Sequence, residues 1–176
     1  MSEIEEIFLL EIKKSFKGIK SNAEKALEQI ADADFHFFPE EQSNNLTILI
    51  KHLSGNMLSR FTDFLTTDGE KPGRNRDEEF VDKGETKEEL FKQWNEGWIC
   101  LFTLLDELKL ENLTAIVKIR NEDHTVIRAL NRQLVHYAYH TGQIVYICKL
   151  IKSSGFKSLS IPRNPKIALD VSRKEN

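Results

Sequence analysis

Hydrophobic residues recur every three or four positions in four stretches of the chain, which is the spacing that places them on one face of an α-helix. The stretches cover residues 3–30, 43–66, 86–109 and roughly 128–153. Polar and charged residues fill the positions between them, as expected for helices with one face in a core and the other in solvent. The pattern therefore predicts four amphipathic helices.

Local sequence signals mark where these helices begin and end. Ser43, Asn44 and Asn45 carry side-chain oxygens that can cap the start of the second helix. Thr86 is followed three residues later by Glu89, the capping-box pattern at the start of the third. The sequence Ser-Ser-Gly at 153–155 is expected to stop the fourth.

The first connection, residues 31–42, contains Pro39, which restricts the preceding residue to extended conformations. We expect this connection to return one of Phe35, Phe37 and Phe38 to the core. His36 lies in the same connection and is predicted to be a surface histidine.

The second connection, residues 67–85, is charged and too long for a tight turn. It can be a solvated crossover, which would allow the second and third helices to run parallel. Alternatively it is tied over one end of the bundle by local pairing, with two apolar residues as its anchor. The pairing residues would be Arg74, Arg76, Asp77 and Glu79, and the anchor would be Phe80 and Val81.

Residues 113–128 change periodicity, with β-branched residues on both sides of the polar sequence Asn121–Asp123. This pattern predicts a small β-hairpin with His124 exposed at its tip. The predicted fold class is an all-α, up-and-down four-helix bundle with a small β-hairpin before the last helix. The bundle would occupy residues 1–155, and residues 156–176 would form an extended or docked tail in which Leu159 and Ile161 can contact the domain.

Composition excludes several classes of function. A length of 176 residues fits one domain, and a net charge of −3 with a pI near 6.0 argues against nucleic-acid binding. No run of apolar residues is long enough to span a membrane, and the acidic N-terminus does not resemble a signal peptide. Cys100 and Cys148 are expected to be buried thiols in a reducing compartment, which predicts a cytoplasmic protein.

The segment Leu134–Ile144 carries the candidate chemistry. His136 and His140 are four residues apart, so both imidazoles leave the same face of the fourth helix. Apolar residues nearly surround them, which predicts a helix buried on most sides. If the second helix faces the fourth, His52 meets this pair.

Three neutral imidazoles suit Zn²⁺, with a fourth position left open as in catalytic sites. Imidazole also suits Ni²⁺, Cu²⁺ and Fe²⁺, so a divalent transition metal is predicted without its identity, with zinc or nickel foremost. Gln143, near His140 on the same helix, is the candidate to orient an imidazole or a bound water. His36 and His124 are predicted to take no part.

These residues resemble the DinB/YfiT-like superfamily. His52 and the His136–Ile144 segment, with Gly142 and Gln143, carry the resemblance. One branch, classed as a domain of unknown function, is similar in three further segments: Arg74–Phe80, Trp94–Trp98 and Leu159–Pro162. The resemblance implies a three-histidine metal site and frequent homodimers. It also implies, for some members, a transferase or isomerase reaction that uses bacillithiol, mycothiol or glutathione.

Two classes of function remain open. In the first, the protein is a metal-dependent enzyme in which a low-molecular-weight thiol attacks an electrophile. Arg132, one turn before His136, is the preferred anchor for the carboxylates of the thiol, with Arg74 and Arg76 as alternatives. No carboxylate is placed beside the histidines by spacing, so no general base is predicted. In the second, it is a non-enzymatic metal-binding or dimerising accessory bundle.

A homodimer is expected in either case. Trp94 and Trp98 are four residues apart on one face of the third helix, where they suit either the core or an interface. The chain also has more long apolar side chains than one bundle core readily absorbs. An interface through the third helix or the tail is therefore predicted.

Overall fold

The computed structural model describes residues 3–160 and confirms a helical bundle with a small β-hairpin before the last helix. The predictions for residues 161–176, including the docking of Ile161, lie outside the described residues. In chain order the elements are α1 (Glu3–Leu27), α2 (Leu46–Phe61), α3 (Arg76–Glu79), α4 (Lys87–Glu107), β1 (Ile116–Ile119), β2 (Glu122–Thr125) and α5 (Val126–Lys152).

The helix starts follow the capping signals in the sequence. The Asn45 side chain accepts a hydrogen bond from the backbone N–H of Ile48 at 2.9 Å and caps α2. Thr86 and Glu89 form the predicted capping box of α4. Side-chain oxygens in these positions satisfy backbone N–H groups that have no partner inside the helix. The second helix therefore starts at Leu46, directly after the predicted capping residues, but it ends at Phe61 and not near Thr66.

The long connection between α2 and α4 allows these two helices to pack side by side in the same direction. Lys51, in the first half of α2, pairs with Glu85 just before α4. Thr62, just after α2, contacts Cys100 in the second half of α4, with Oγ1 3.7 Å from Sγ. Contacts that advance together along both helices require a parallel pair, so the connection is a crossover.

The other two helices run against this pair. Lys13 and Asp106 form an ion pair of 3.2 Å, and the Trp94 indole donates to Glu24 at 3.2 Å, so α1 and α4 are antiparallel. At the far end of α1, Gln29 donates to the backbone carbonyl of Lys157 beyond α5. The directions of α1, α2, α4 and α5 are therefore up, down, down and up.

The core takes in the large aromatic residues. Phe35 is the residue of the first connection that returns to it, whereas Phe37 and Phe38 stay partly exposed. Trp94 and Trp98 are 0% and 1% exposed and pack against each other inside the bundle. The two indoles that suggested an interface on the third helix therefore face the core and are covered by this chain.

The hairpin turns one residue earlier than its composition suggested. Arg120 and Asn121 have φ values of 56° and 62°, the pattern of a two-residue type I′ turn. His124 consequently pairs with Val117 inside the strands and shares its buried face. It is 4% exposed, so the prediction of an exposed tip histidine is wrong. A shift of one residue moves every side chain of a strand to the other face.

Both cysteines are free thiols, with Cys148 buried and Cys100 partly exposed. Burial raises the pKa of Cys148 to about 12, so this thiol is inert at neutral pH. In the tail, Leu159 packs against the core as expected. Among the described residues, none of the helices combines the length and hydrophobicity that a membrane crossing requires.

Gly97 sets the close approach of α2 and α4. A Cβ built at this position would lie 3.1 Å from the Ser54 Cα and 3.3 Å from the Met57 Cβ. We predict that Gly97→Val lowers the free energy of unfolding by about 1–3 kcal/mol, because overpacking forces the two helices apart. Gly18→Val is the matched control, since Gly18 is a helical glycine with nothing within 4 Å of its built Cβ. Denaturant unfolding of both variants measures the difference, and equal stabilities would contradict the prediction.

Candidate metal centre

Three histidines meet where α2 faces α5. His52, His136 and His140 each offer one imidazole nitrogen as a ligand atom. These three nitrogens all lie within 4.8 Å of one another. The Nε2 atoms of His52 and His136 are 3.2 Å apart, while two nitrogens bound tetrahedrally at 2.0–2.1 Å from a zinc ion are about 3.3 Å apart. The three side chains therefore lie close enough to bind one metal ion.

Neighbouring oxygens orient two of the rings. The Nδ1 of His52 lies 3.0 Å from a carboxylate oxygen of Glu79, and the Nδ1 of His140 lies 2.7 Å from the side-chain oxygen of Gln143. Because an oxygen without a proton must accept, each Nδ1 carries the proton and each Nε2 keeps its lone pair. These are the tautomers that a metal site needs, and Gln143 has the contact that its predicted role requires.

Burial favours the uncharged form of His136 and His140. Burial and the neighbouring His140 and His52 lower the pKa of His136 from its ordinary value to about 3. The pKa of His140 is also lowered, chiefly by burial. Both rings are consequently neutral at neutral pH, which is the protonation state of an imidazole ligand.

The contact of Glu79 with His52 is the feature of the site that the sequence reasoning missed. The short helix α3 brings it to His52, and Arg74 grips both of its oxygens, with Nε–Oε1 and Nη2–Oε2 distances of 2.7 and 2.8 Å. Burial alone would raise the pKa of Glu79, but hydrogen bonds from His52 and Arg74 outweigh it and lower that pKa. With both oxygens engaged, Glu79 orients His52 and is not a free general base.

One sequence signal could have pointed to this contact. Gly55 lies three residues after His52 on the same side of α2, in the middle of a helix where glycine is unfavourable. A Cβ at this position would overlap the Glu79 carboxylate. A mid-helix glycine beside a candidate ligand indicates that another group approaches closely there.

Of the two interpretations of residues 67–85, local pairing over one end of the bundle is thus correct in its main contact. The crossover interpretation is correct as well. Arg74 pairs with Glu79, and the Phe80 ring centroid lies 4.9 Å from that of His52. The expected anchor Val81 is instead 45% exposed. The connection is therefore both a crossover and a cover for the histidine cluster.

The histidines line a cavity of about 420 Å³ that is rich in arginine. Five guanidinium groups contribute to its wall: Arg60, Arg74, Arg76, Arg120 and Arg132. Glu70 accepts from three of them: Arg120 at 2.8 Å, Arg60 at 3.0 Å and Arg74 at 3.4 Å. These hydrogen bonds outweigh the effect of burial and lower the pKa of Glu70 to about 2. The Glu70 carboxylate therefore remains charged and links these arginines of the cavity wall through hydrogen bonds.

Two of these arginines make no ion pair within the described part of the chain. Arg76 lies over the Phe80 ring, 4.9 Å from its centroid, and Arg132 lies on the exposed surface of α5. Arg74, an alternative anchor in the sequence reasoning, is already occupied by Glu79. The cavity therefore presents unpaired positive charge beside the histidines.

The remaining histidines lie elsewhere. His36 is half-buried, and its Nδ1 lies 2.8 Å from Asp82, which fastens the first connection to the second. His124 lies in the hairpin, and its Nε2 is 3.8 Å from Glu122. Neither belongs to the group of described residues that could hold a metal ion.

The fold and the histidine cluster define a helical-bundle protein with a candidate metal centre between α2 and α5. A family model described as a protein of unknown function (DUF1572) matches residues 3–165, and the chain belongs to this family. The search of curated proteins and the search of solved structures found no match.

Glu79 should stabilise the fold as well as orient His52. We predict that Glu79→Gln lowers the free energy of unfolding by about 1–3 kcal/mol, because it weakens charged hydrogen bonds between buried groups. Glu78→Gln is the matched control, since Glu78 is exposed and pairs with exposed Lys83. It should leave the stability nearly unchanged, because an exposed ion pair contributes little. The prediction would be contradicted if both variants changed the free energy of unfolding equally in denaturant unfolding, because Glu79 would then contribute no more than exposed Glu78.

Proposed function

We propose that this protein is a metal-dependent enzyme of the DinB/YfiT-like type that uses a low-molecular-weight thiol. His52, His136 and His140 would hold a divalent transition metal, with zinc or nickel foremost. The observation that carries the proposal is the convergence of three imidazoles, two of them fixed through Nδ1, on one point at the wall of an open cavity.

Among the described residues, the group that could hold a metal ion consists of three histidines, which leaves room for a ligand from the cavity. A divalent metal held there supplies Lewis acidity, which lowers the pKa of a thiol and favours the nucleophilic thiolate. The thiol proton would pass to solvent, and the sulfur would attack an electrophilic carbon, forming a C–S bond as the bond from that carbon to the leaving group breaks. Phe80 covers one side of His52 and limits the access of water.

Arg132 would bind the carboxylates of the thiol. It lies one helical turn before His136 and lines the same cavity, and its charge helps to lower the pKa of His136. Bidentate hydrogen bonding makes arginine well suited to a carboxylate. Arg76, which is also unpaired among the described residues, can bind a second acidic group of the same ligand.

The alternative is a non-enzymatic bundle that binds metal or forms a dimer. The arginine-lined cavity favours the enzyme, because a metal that only stabilised the fold would not require an open, positively charged space of about 420 Å³ beside it. A cytoplasmic location fits the use of such thiols and belongs to the same proposal.

The first prediction concerns metal content. The purified protein should contain about one divalent transition metal per chain, and His52→Ala, His136→Ala or His140→Ala should each remove most of it, because three ligands are the minimum for such a site. Elemental analysis after mild purification measures the stoichiometry. His36→Ala and His124→Ala are the controls and should retain the metal. Full metal content in His52→Ala would remove α2 from the site.

The second prediction concerns the thiol. Calorimetric titration of the metal-loaded protein with bacillithiol, mycothiol and glutathione should show binding of one of them, weakened about 10-fold or more in Arg132→Ala. Arg128→Ala is the matched control, one turn earlier on α5 and outside the cavity wall. No binding of any of the three at millimolar concentration would exclude the transferase and favour the accessory bundle. Equal binding to both arginine variants would exclude Arg132 as the anchor.

A further inference from the structure

The outer face of α5 carries a row of exposed apolar side chains. Val135, Tyr139, Tyr146 and Leu150 are 70%, 64%, 67% and 48% exposed. The sequence predicted that α5 is buried on most sides, and this face contradicts that prediction. At 3.6 residues per turn the four positions lie within about 60° of one another, along roughly 22 Å of helix. We call this row the α5 stripe.

The α5 stripe is symmetric about its own centre. Tyr139 and Tyr146 are equidistant from the midpoint between residues 142 and 143, and so are Val135 and Leu150. At the midpoint stands Gly142, whose built Cβ would meet nothing within 4 Å. An antiparallel copy of the same helix would thus place Tyr139 against the partner's Tyr146 and Val135 against the partner's Leu150. Such self-complementarity is the requirement of a two-fold interface.

A groove lies at the same central point. It has a volume of about 530 Å³ and is bordered by Tyr139, Gly142, Gln143 and Tyr146 on one side and by Pro39 on the other. Phe38, next to Pro39, is 43% exposed and extends the apolar surface. A small ligand in the groove would leave Val135 and Leu150 uncovered, whereas a second helix covers the groove and both ends of the stripe together.

We propose that the α5 stripe is the docking surface for a second copy of this chain. The two α5 helices pack antiparallel about a two-fold axis beside Gly142, where the absence of side chains lets the backbones approach. A stable interface buries about 800 Å² on each partner, so the contact would include the groove wall formed by Pro39, Gln42, Ser43 and Asn44 as well as the stripe. This location differs from the third helix and the tail, the positions that the sequence suggested.

The proposed interface borders the histidine cluster. The Tyr139 ring centroid lies 5.0 Å from that of His140, and Gln143, which accepts the hydrogen bond of His140, borders the groove. A second copy on the stripe therefore covers the outer side of His140 and Gln143. The docking itself requires neither metal nor thiol, so it is tested separately from the proposed function.

Light scattering at micromolar concentration should give about twice the 20.4 kDa mass of one chain. Gly142→Arg should give a monomer, with the dissociation constant raised at least about 100-fold, because the two-fold axis brings the new charge against its own copy. Gly18→Arg is the matched control: it is also an exposed helical glycine with nothing within 4 Å, and it should remain a dimer. Circular dichroism should show the same helicity in both variants. The thermal midpoint of Gly142→Arg should be lower and independent of protein concentration, because a monomer lacks the stabilisation that association gives the dimer.

A mixed sample tests the position of the axis. Gly142→Arg and Gly142→Glu should each be monomeric alone and should form a heterodimer when mixed, because opposite charges then meet at the axis. A monomeric wild-type protein would overturn the proposal. It would also be overturned if Gly142→Arg stayed dimeric, or if the two monomeric variants failed to associate when mixed, since either result places the contact elsewhere.

Discussion

The carboxylate of Glu79, buried between Arg74 and His52, is the contact on which the rest of the centre depends. It fastens the long connection to the bundle, fixes the tautomer of His52 and closes one side of the histidine cluster. Burying a carboxylate is costly unless every oxygen has a partner, and here both oxygens are engaged. Gly55 makes the approach possible, because any side chain there would occupy the space of the carboxylate.

The parts of the molecule that the sequence predicts well depend on short-range spacing. A period of three to four residues identified the helices, and the four-residue spacing of His136 and His140 placed both imidazoles on one face. The sequence also predicted that His52 meets this pair, because the apolar faces of the helices in a bundle must face the core. The contact of Glu79 with His52 was not predicted, because Glu79 is 27 residues from His52 and reaches it only through the path of an irregular connection. No periodicity encodes such a path.

Two other differences between the sequence predictions and the structure also have physical causes. His124 was expected at the tip of the hairpin, but a type I′ turn one residue earlier exchanged the inner and outer faces of β2. The apolar residues around α5 were expected to be buried, but hydrophobicity does not distinguish a side chain covered by its own chain from one left at the surface. Trp94 and Trp98 were ambiguous in the same way, since they suited either the core or an interface. The structure places both of them in the core.

The separation of the histidines along the chain has a consequence for biosynthesis. His52 precedes His136 by 84 residues, and His140 is later still. During translation the first histidine emerges long before its companions, and it acquires them only when the last helix has left the ribosome and packed against α2. A truncated or half-folded chain has no complete cluster. Whatever the three imidazoles hold, they can hold it only in a finished molecule, so loading is tied to the completion of folding.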